Sequence, residues 1–101
     1  MSQAEKCWFC YMLRCRDGAY YVGVATDVQE RVKEHNWGVG AVFTAKRRPV
    51  KLVWWQEFAD QQSARNRERE LKGWRREKKQ KLIEARRLGT NPSPAEDAGS
   101  G

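Results

Sequence analysis

The sequence lacks any hydrophobic run long enough to cross a bilayer, holds a single histidine, and has only three cysteines in 101 residues. A membrane-spanning helix needs roughly 20 apolar residues in succession, so none is expected. No charged segment precedes the short apolar patch of MSQAEKCWFCYML, so no secretory leader is expected either, and the chain reads as cytoplasmic. Cys7 and Cys10 have the C-x-x-C spacing, but no second pair follows Cys15 and His35 has no histidine partner. A structural zinc site usually needs four ligands, so reduced thiols in a cytosolic strand are the expectation.

Aromatic residues are plentiful. Five Trp, three Tyr and three Phe, within a hydrophobic share of 40%, point to a packed fold rather than a disordered one. The length allows one small domain with a modest core.

Charge is unevenly placed. Residues 65–87 hold eleven Lys or Arg against four Glu, an excess equal to the +7 of the whole chain. A second cluster, Lys46-Arg47-Arg48, precedes Pro49. Positive charge at this density usually meets a polyanion, most often nucleic acid. The plainer alternative is a solvated helix face.

WFCYMLRC (8–15) has the composition of a strand, Asp17-Gly18 signals a hairpin turn, and 20–24 forms the second strand. Thr26 or Asp27 caps a helix that runs to about Asn36, with Val28 and Val32 facing the core and Gly38 and Gly40 ending it. Residues 37–49 read as a loop, and VKLVWWQEF (50–58) as a third strand. Asp60 or Ser63 caps the next helix, which turns Ala64, Leu71 and Trp74 inward. After a break at Gly73, a very basic helix over 75–88 makes apolar contacts through Leu82, Ile83 and Leu88. The predicted order is β-β-α-β-α-α, an α+β domain with a small three-stranded antiparallel sheet flanked by helices. Residues 1–7 are a lead-in, 8–88 the domain, and the turn-rich 89–101 a disordered tail.

Several side chains could carry chemistry. Arg31 and His35 are four apart and share a helix face. A guanidinium can hold a phosphate oxygen and an imidazole can move a proton near neutral pH, though such pairs are also common on inert surfaces. Glu68 falls on the stripe of Ala64 and Leu71 that faces the sheet, where a carboxylate is rarely turned inward without a partner or a metal. It pairs with one of its arginine neighbours, or is exposed on a rotated helix, or binds a metal such as Mg²⁺ with substrate phosphate completing the shell. In the hairpin, a strict two-residue turn puts Tyr20 on the face of Tyr11, whereas one more loop residue or a bulge puts Tyr21 there. The pattern leaves both open.

Taken together, YMLRCRDGAYYVGVATDVQERVKEHN, TAKRRPVKLVWWQEF and ARNRERELKGW resemble the GIY-YIG nuclease superfamily, and more closely its short stand-alone bacterial branch, over residues 8–86. The resemblance implies that Tyr11 and Tyr21 are the two motif tyrosines, that Gly23 marks a close backbone passage, and that Arg31 stabilises phosphate. It further implies that His35 stands near the attacking water and that Glu68 binds the metal. It therefore selects Tyr21 over Tyr20 and a hairpin that is longer than the simple turn or bulged. The sequence departs from the pattern at Phe9, where the first motif begins with Gly, and at Val24-Ala25, where a Thr often follows the second motif. The asparagine that many larger members place after the glutamate has no clear counterpart, and the resemblance leaves the role of Lys72 unassigned.

The expected function is a Mg²⁺- or Mn²⁺-dependent endonuclease acting on DNA, branched or single-stranded forms and RNA included among the candidates. Lys46, Arg47, Arg48, Arg65, Lys72, Arg75, Arg76, Lys78 and Lys79 are expected to track backbone phosphates without reading sequence. Trp37 could stack on an unpaired base. Two other classes compete: a nucleic-acid-binding module of the same fold without turnover, and a protein-interaction domain using VWWQEF as an exposed edge.

Overall fold

The computed structural model describes residues 7–87. The tail over 89–101, Leu88 and most of the lead-in lie outside the described residues.

The aromatic first strand becomes the centre of the sheet. β1 (Trp8–Cys15) pairs antiparallel with β2 (Tyr20–Ala25) on one side and β3 (Val50–Phe58) on the other. Four helices surround it: α1 (Val28–Trp37), α2 (Val42–Ala45), α3 (Gln61–Lys72) and α4 (Arg76–Arg87). This is the expected α+β architecture with one addition. Helix α2 lies within 37–49, which the sequence presents as a loop. Four residues are too few to show helical periodicity, and no side chain caps the helix start at Ala41.

A strand covered on both faces reads as a continuous apolar run, which explains CYML. Cys10 and Met12 join Val22, Trp54, Leu71 and Leu82 on one face. Tyr11, Leu13 and Cys15 join Ala25, Val28 and Val50 on the other.

Two features set which side chains share a face. In the hairpin, the Cys15 N–H donates to Ala19 O at 2.8 Å and the Gly18 N–H to Cys15 O at 2.9 Å, so the loop is Arg16-Asp17-Gly18. Gly18 takes φ +90°, which only glycine adopts at little cost. Three loop residues rather than two pair Leu13 with Tyr21 and Tyr11 with Gly23. Tyr21 therefore shares the Tyr11 face, as the resemblance implies, and Tyr20 packs on the other. In β3, the register shifts between Met12 and Leu13, whose partners are Trp54 and Leu52. This bulge lets Val50 and Leu52 join the Tyr11 face while Trp54 fills the opposite core.

The helix starts follow their caps. Asp27 accepts from the Glu30 N–H at 3.0 Å and Asp60 from the Ser63 N–H at 2.7 Å. Gly38 ends α1 at φ +91°, and Gly73 ends α3. Asn36 then ties α1 to the sheet, accepting from the Val50 N–H at 2.7 Å and donating to Val50 O at 3.1 Å.

Candidate active site

The Tyr11 face carries the first half of the site. α1 lies against it and sends His35, fully buried, toward the middle of the strand pair. His35 Nε2 is 2.9 Å from the Tyr11 hydroxyl, and Nδ1 is 2.7 Å from Thr44 Oγ1. The Tyr21 ring stands edge-on to the imidazole with centroids 5.0 Å apart, and Phe43 stacks on Tyr21 at 6.1 Å. The Tyr11 and Tyr21 rings are 6.4 Å apart.

Backbone passes close to both key rings. A β-carbon on Gly23 would sit 2.6 Å from the Tyr11 oxygen, and one on Gly40 would sit 2.5 Å from His35 Nδ1. The close passage implied for Gly23 is present. Gly40, seen in the sequence only as a helix stop, packs directly on the imidazole.

Electrostatics keep these groups neutral. Burial pushes the Tyr11 phenol well above its ordinary value and Tyr21 adds to this, while the Arg31 guanidinium pulls the other way. Burial holds the His35 imidazole below its ordinary value, with Arg31 pushing further down and Glu34 opposing. Arg31 is half-buried and pairs with Glu34 at 2.9 Å. It acts on both Tyr11 and His35, so the i, i+4 pair places a cation beside a buried proton-carrying pair.

Glu68 comes from the other side. α3 packs on the face of Cys10 and Met12, and the Glu68 carboxylate is largely enclosed there, bonded to the Lys72 ammonium at 3.0 Å. Its charge raises the pKa of Cys10 and that of Tyr11. The halves approach each other around β2, an edge strand, where Tyr20, Tyr21, Val22, Phe43, Lys72 and Lys79 line one cavity. The Glu68 carboxylate is thus largely enclosed, and its basic partner is Lys72 rather than an arginine.

Among the described residues, no three His, Cys, Asp or Glu side chains converge as a metal cage. A lone enclosed carboxylate that already attracts an ammonium suits a hard cation that keeps several waters and takes its other ligands from a phosphate. The three cysteines form no disulfide, and burial pushes Cys10 up to about 12, so its thiol stays protonated.

The basic residues divide by what they touch. Arg47 bonds Asp17 at 3.0 Å and covers Phe43, while Arg48 donates to Ala45 O and Asn36 O. Arg76 donates to Gly18 O at 2.8 Å above the Tyr20 ring, and Lys78 sits over Trp74. Lys72 and Lys79 border the cavity beside Tyr21. Lys46, Arg65 and Arg75 are exposed. Arg67, one of the basic run, is instead buried, with Gln56, Glu70 and the faces of Trp54 and Trp74 around it. Trp37 closes α1 and is 64% exposed, and Val39 and Val42 in the segment that follows are exposed too.

Thr44 is the member that the sequence reading did not single out. Its signal was present in TAKRRPVKLVWWQEF, yet a threonine in a basic loop has no distinguishing chemistry until a helical turn carries it inward.

Comparison with known proteins agrees with this fold. A family model described as the GIY-YIG catalytic domain matches residues 7–81. A UPF0213 protein of Haloquadratum walsbyi is 46% identical over 76 residues, covering 75% of this chain and 85% of that one. A UPF0213 protein of Staphylococcus aureus is 45% identical over 78 residues, covering 77% and 95%. The solution NMR structure of a UPF0213 protein from Bacillus halodurans superposes with a TM-score of 0.52 at 35% identity, covering 91% of this chain and 93% of that one.

Proposed function

The chain belongs to the GIY-YIG catalytic-domain family, and on that premise we propose that it is a metal-dependent endonuclease hydrolysing DNA phosphodiester bonds. We further propose that it selects DNA by structure rather than sequence and works in DNA repair or recombination, in the cytoplasm. The observation that carries the reading is the buried 2.9 Å contact between Tyr11 and His35, with Arg31 and Glu68 both acting on the same phenol.

Arg31 is the phosphate-binding group. Its guanidinium is half-exposed, pairs with Glu34 at 2.9 Å, and can neutralise charge that develops on phosphate oxygens. Tyr11 and His35 manage the proton. The phenol is too weak an acid to rest as phenolate, so water loses its proton to the Tyr11 oxygen as the Tyr11 proton passes to His35 Nε2. The water O–H bond breaks, a P–O bond forms, the bond to the 3′ oxygen breaks with its electron pair staying on that oxygen, which takes a proton from solvent water, and His35 ends as imidazolium. Tyr11 is fully enclosed without substrate, so this transfer requires Arg31 or Tyr21, both half-buried beside it, to shift as the phosphate enters. Glu68 would hold Mg²⁺ or Mn²⁺, and the bound ion would stabilise negative charge on the phosphate and the leaving oxygen. Lys72, Lys79 and the exposed Lys46, Arg65 and Arg75 hold neighbouring phosphates, with Arg47, Arg48, Arg76 and Lys78 adding to the positive field.

One alternative has a specific observation in its favour. The enclosure of Tyr11 and the pairing of Glu68 with Lys72 suit a module that binds nucleic acid without cutting it.

Labelled branched, nicked and single-stranded DNAs incubated with Mg²⁺ or Mn²⁺ separate the two, comparing wild type with Glu68→Ala. Metal-dependent cutting that the substitution removes supports the nuclease. Binding by both proteins with cutting by neither favours the module, and equal cutting by both assigns the activity to a contaminant.

A further inference from the structure

We propose that Thr44 is the positioning residue that fixes the tautomer of His35, and thereby makes Tyr11 donate its proton into the interior. The inference rests on the reading of Tyr11 and His35 as the proton-handling pair of a nuclease, but its structural core can be tested separately.

Thr44 Oγ1 lies 3.2 Å from Ala41 O and 2.7 Å from His35 Nδ1. In the proposed arrangement the Thr44 hydroxyl gives its proton to Ala41 O, a carbonyl that can only accept and that also receives the Ala45 N–H at 3.0 Å. Oγ1 then faces Nδ1 with a lone pair, and Nδ1 must carry the hydrogen. A neutral imidazole has one N–H, so Nε2 presents its own lone pair to the Tyr11 hydroxyl at 2.9 Å. Each donor in the chain is fixed by the one behind it: Tyr11 O–H to His35, His35 N–H to Thr44, Thr44 O–H to the backbone. The opposite tautomer would point Nε2–H at the phenol and require the Thr44 hydroxyl to turn from Ala41 O to Nδ1.

The surroundings hold this arrangement still. Thr44 and His35 are both fully buried, and the backbone at Gly40 lies too close to the imidazole for any side chain. Helix α2 consists of four residues, of which only Thr44 is buried. Holding the second nitrogen of a proton-accepting histidine is the role that a carboxylate or carbonyl often fills elsewhere. Here a hydroxyl with its own proton already committed does so without adding charge. A plainer account is that Thr44 only satisfies a buried polar ring, in which case any residue that fills the space and keeps the fold would serve.

The ¹⁵N shifts of His35, read from long-range proton–nitrogen correlation spectra near neutral pH, test the proposal. The wild type is expected to show protonated Nδ1 and bare Nε2; a protonated Nε2 overturns the proposal outright, whatever the activity. Thr44→Val keeps the shape and removes the acceptor, and is expected to move the population toward the Nε2–H form and slow cleavage by about 100-fold with DNA binding unchanged. Thr44→Ser restores the acceptor and is expected to recover both the wild-type shifts and the rate to within a few-fold. Wild-type shifts and rate in Thr44→Val, or loss of both in a folded Thr44→Ser protein, contradict the proposal. If wild type cuts no DNA, the nuclease reading fails while the nitrogen shifts still report on Thr44.

Discussion

Gly23 lies directly across the strand pair from Tyr11, close enough that a β-carbon on it would approach the phenolic oxygen to 2.6 Å. The contact would also meet the Tyr11 ring at 2.7 Å and the Tyr21 ring at 3.1 Å. Since Tyr11 is enclosed and bonded to His35, it has little room to yield.

Gly23→Ala should therefore cost both stability and activity. Overpacking of a buried site typically costs about 1–3 kcal/mol, and the displaced phenol would lose its line to His35. Gly40→Ala should behave alike through His35. Thermal unfolding together with cleavage rates checks this; an unchanged midpoint in either variant would show that the rings move aside freely.

The pH dependence follows from the buried histidine. Burial, helped by Arg31, holds His35 below its ordinary 6.5. As pH falls, the unfolded chain takes up that proton before the folded one does. Neutral His35 thus contributes stability that is complete above about 6.5 and is lost as pH falls through the folded value. The same neutral form accepts the Tyr11 proton, so the acid limb of kcat/KM should lie below 6.5. A limb at or above that value contradicts a buried neutral acceptor.

Lys72 competes with a cation for Glu68. The pair spans i, i+4 on α3 and the lysine is more than half exposed, so it is worth at most about 1 kcal/mol. Lys72→Met should tighten Mn²⁺ binding by up to about 5-fold in the absence of DNA while weakening DNA binding. Metal titration followed by calorimetry reads the first effect and a fluorescent oligonucleotide the second. Weaker metal binding in the variant would show that Lys72 supports the site rather than occupying it.

Much of the fold was legible because it rests on local signals. Alternating and continuous apolar runs marked the strands, and Asp27, Asp60, Gly38 and Gly73 marked the helix ends. The hairpin register was not legible, because two- and three-residue loops around Asp17-Gly18 read alike while sending opposite tyrosines to the site. Helix α2 was too short for its pattern to show. The β3 bulge, which sorts Trp54 from Val50 and Leu52, leaves no local mark at all. At the site, helical spacing joined Arg31 to His35, but nothing local foretold that His35 would be fully buried against Tyr11 and Thr44. Charge density identified the basic helices yet not their interior member, since Arg67 is set apart by partners distant in sequence, among them Gln56 and the ring of Trp54.

Single-turnover cleavage of a labelled DNA by Tyr11→Phe with Mg²⁺ tests the central claim most directly. Removing one hydroxyl leaves the ring packing in place while taking away the proton donor to His35. The expected result is a fall of at least about 100-fold in the rate with DNA affinity unchanged. A rate within a few-fold of wild type would contradict the assignment of Tyr11 and His35 as the groups that move the proton.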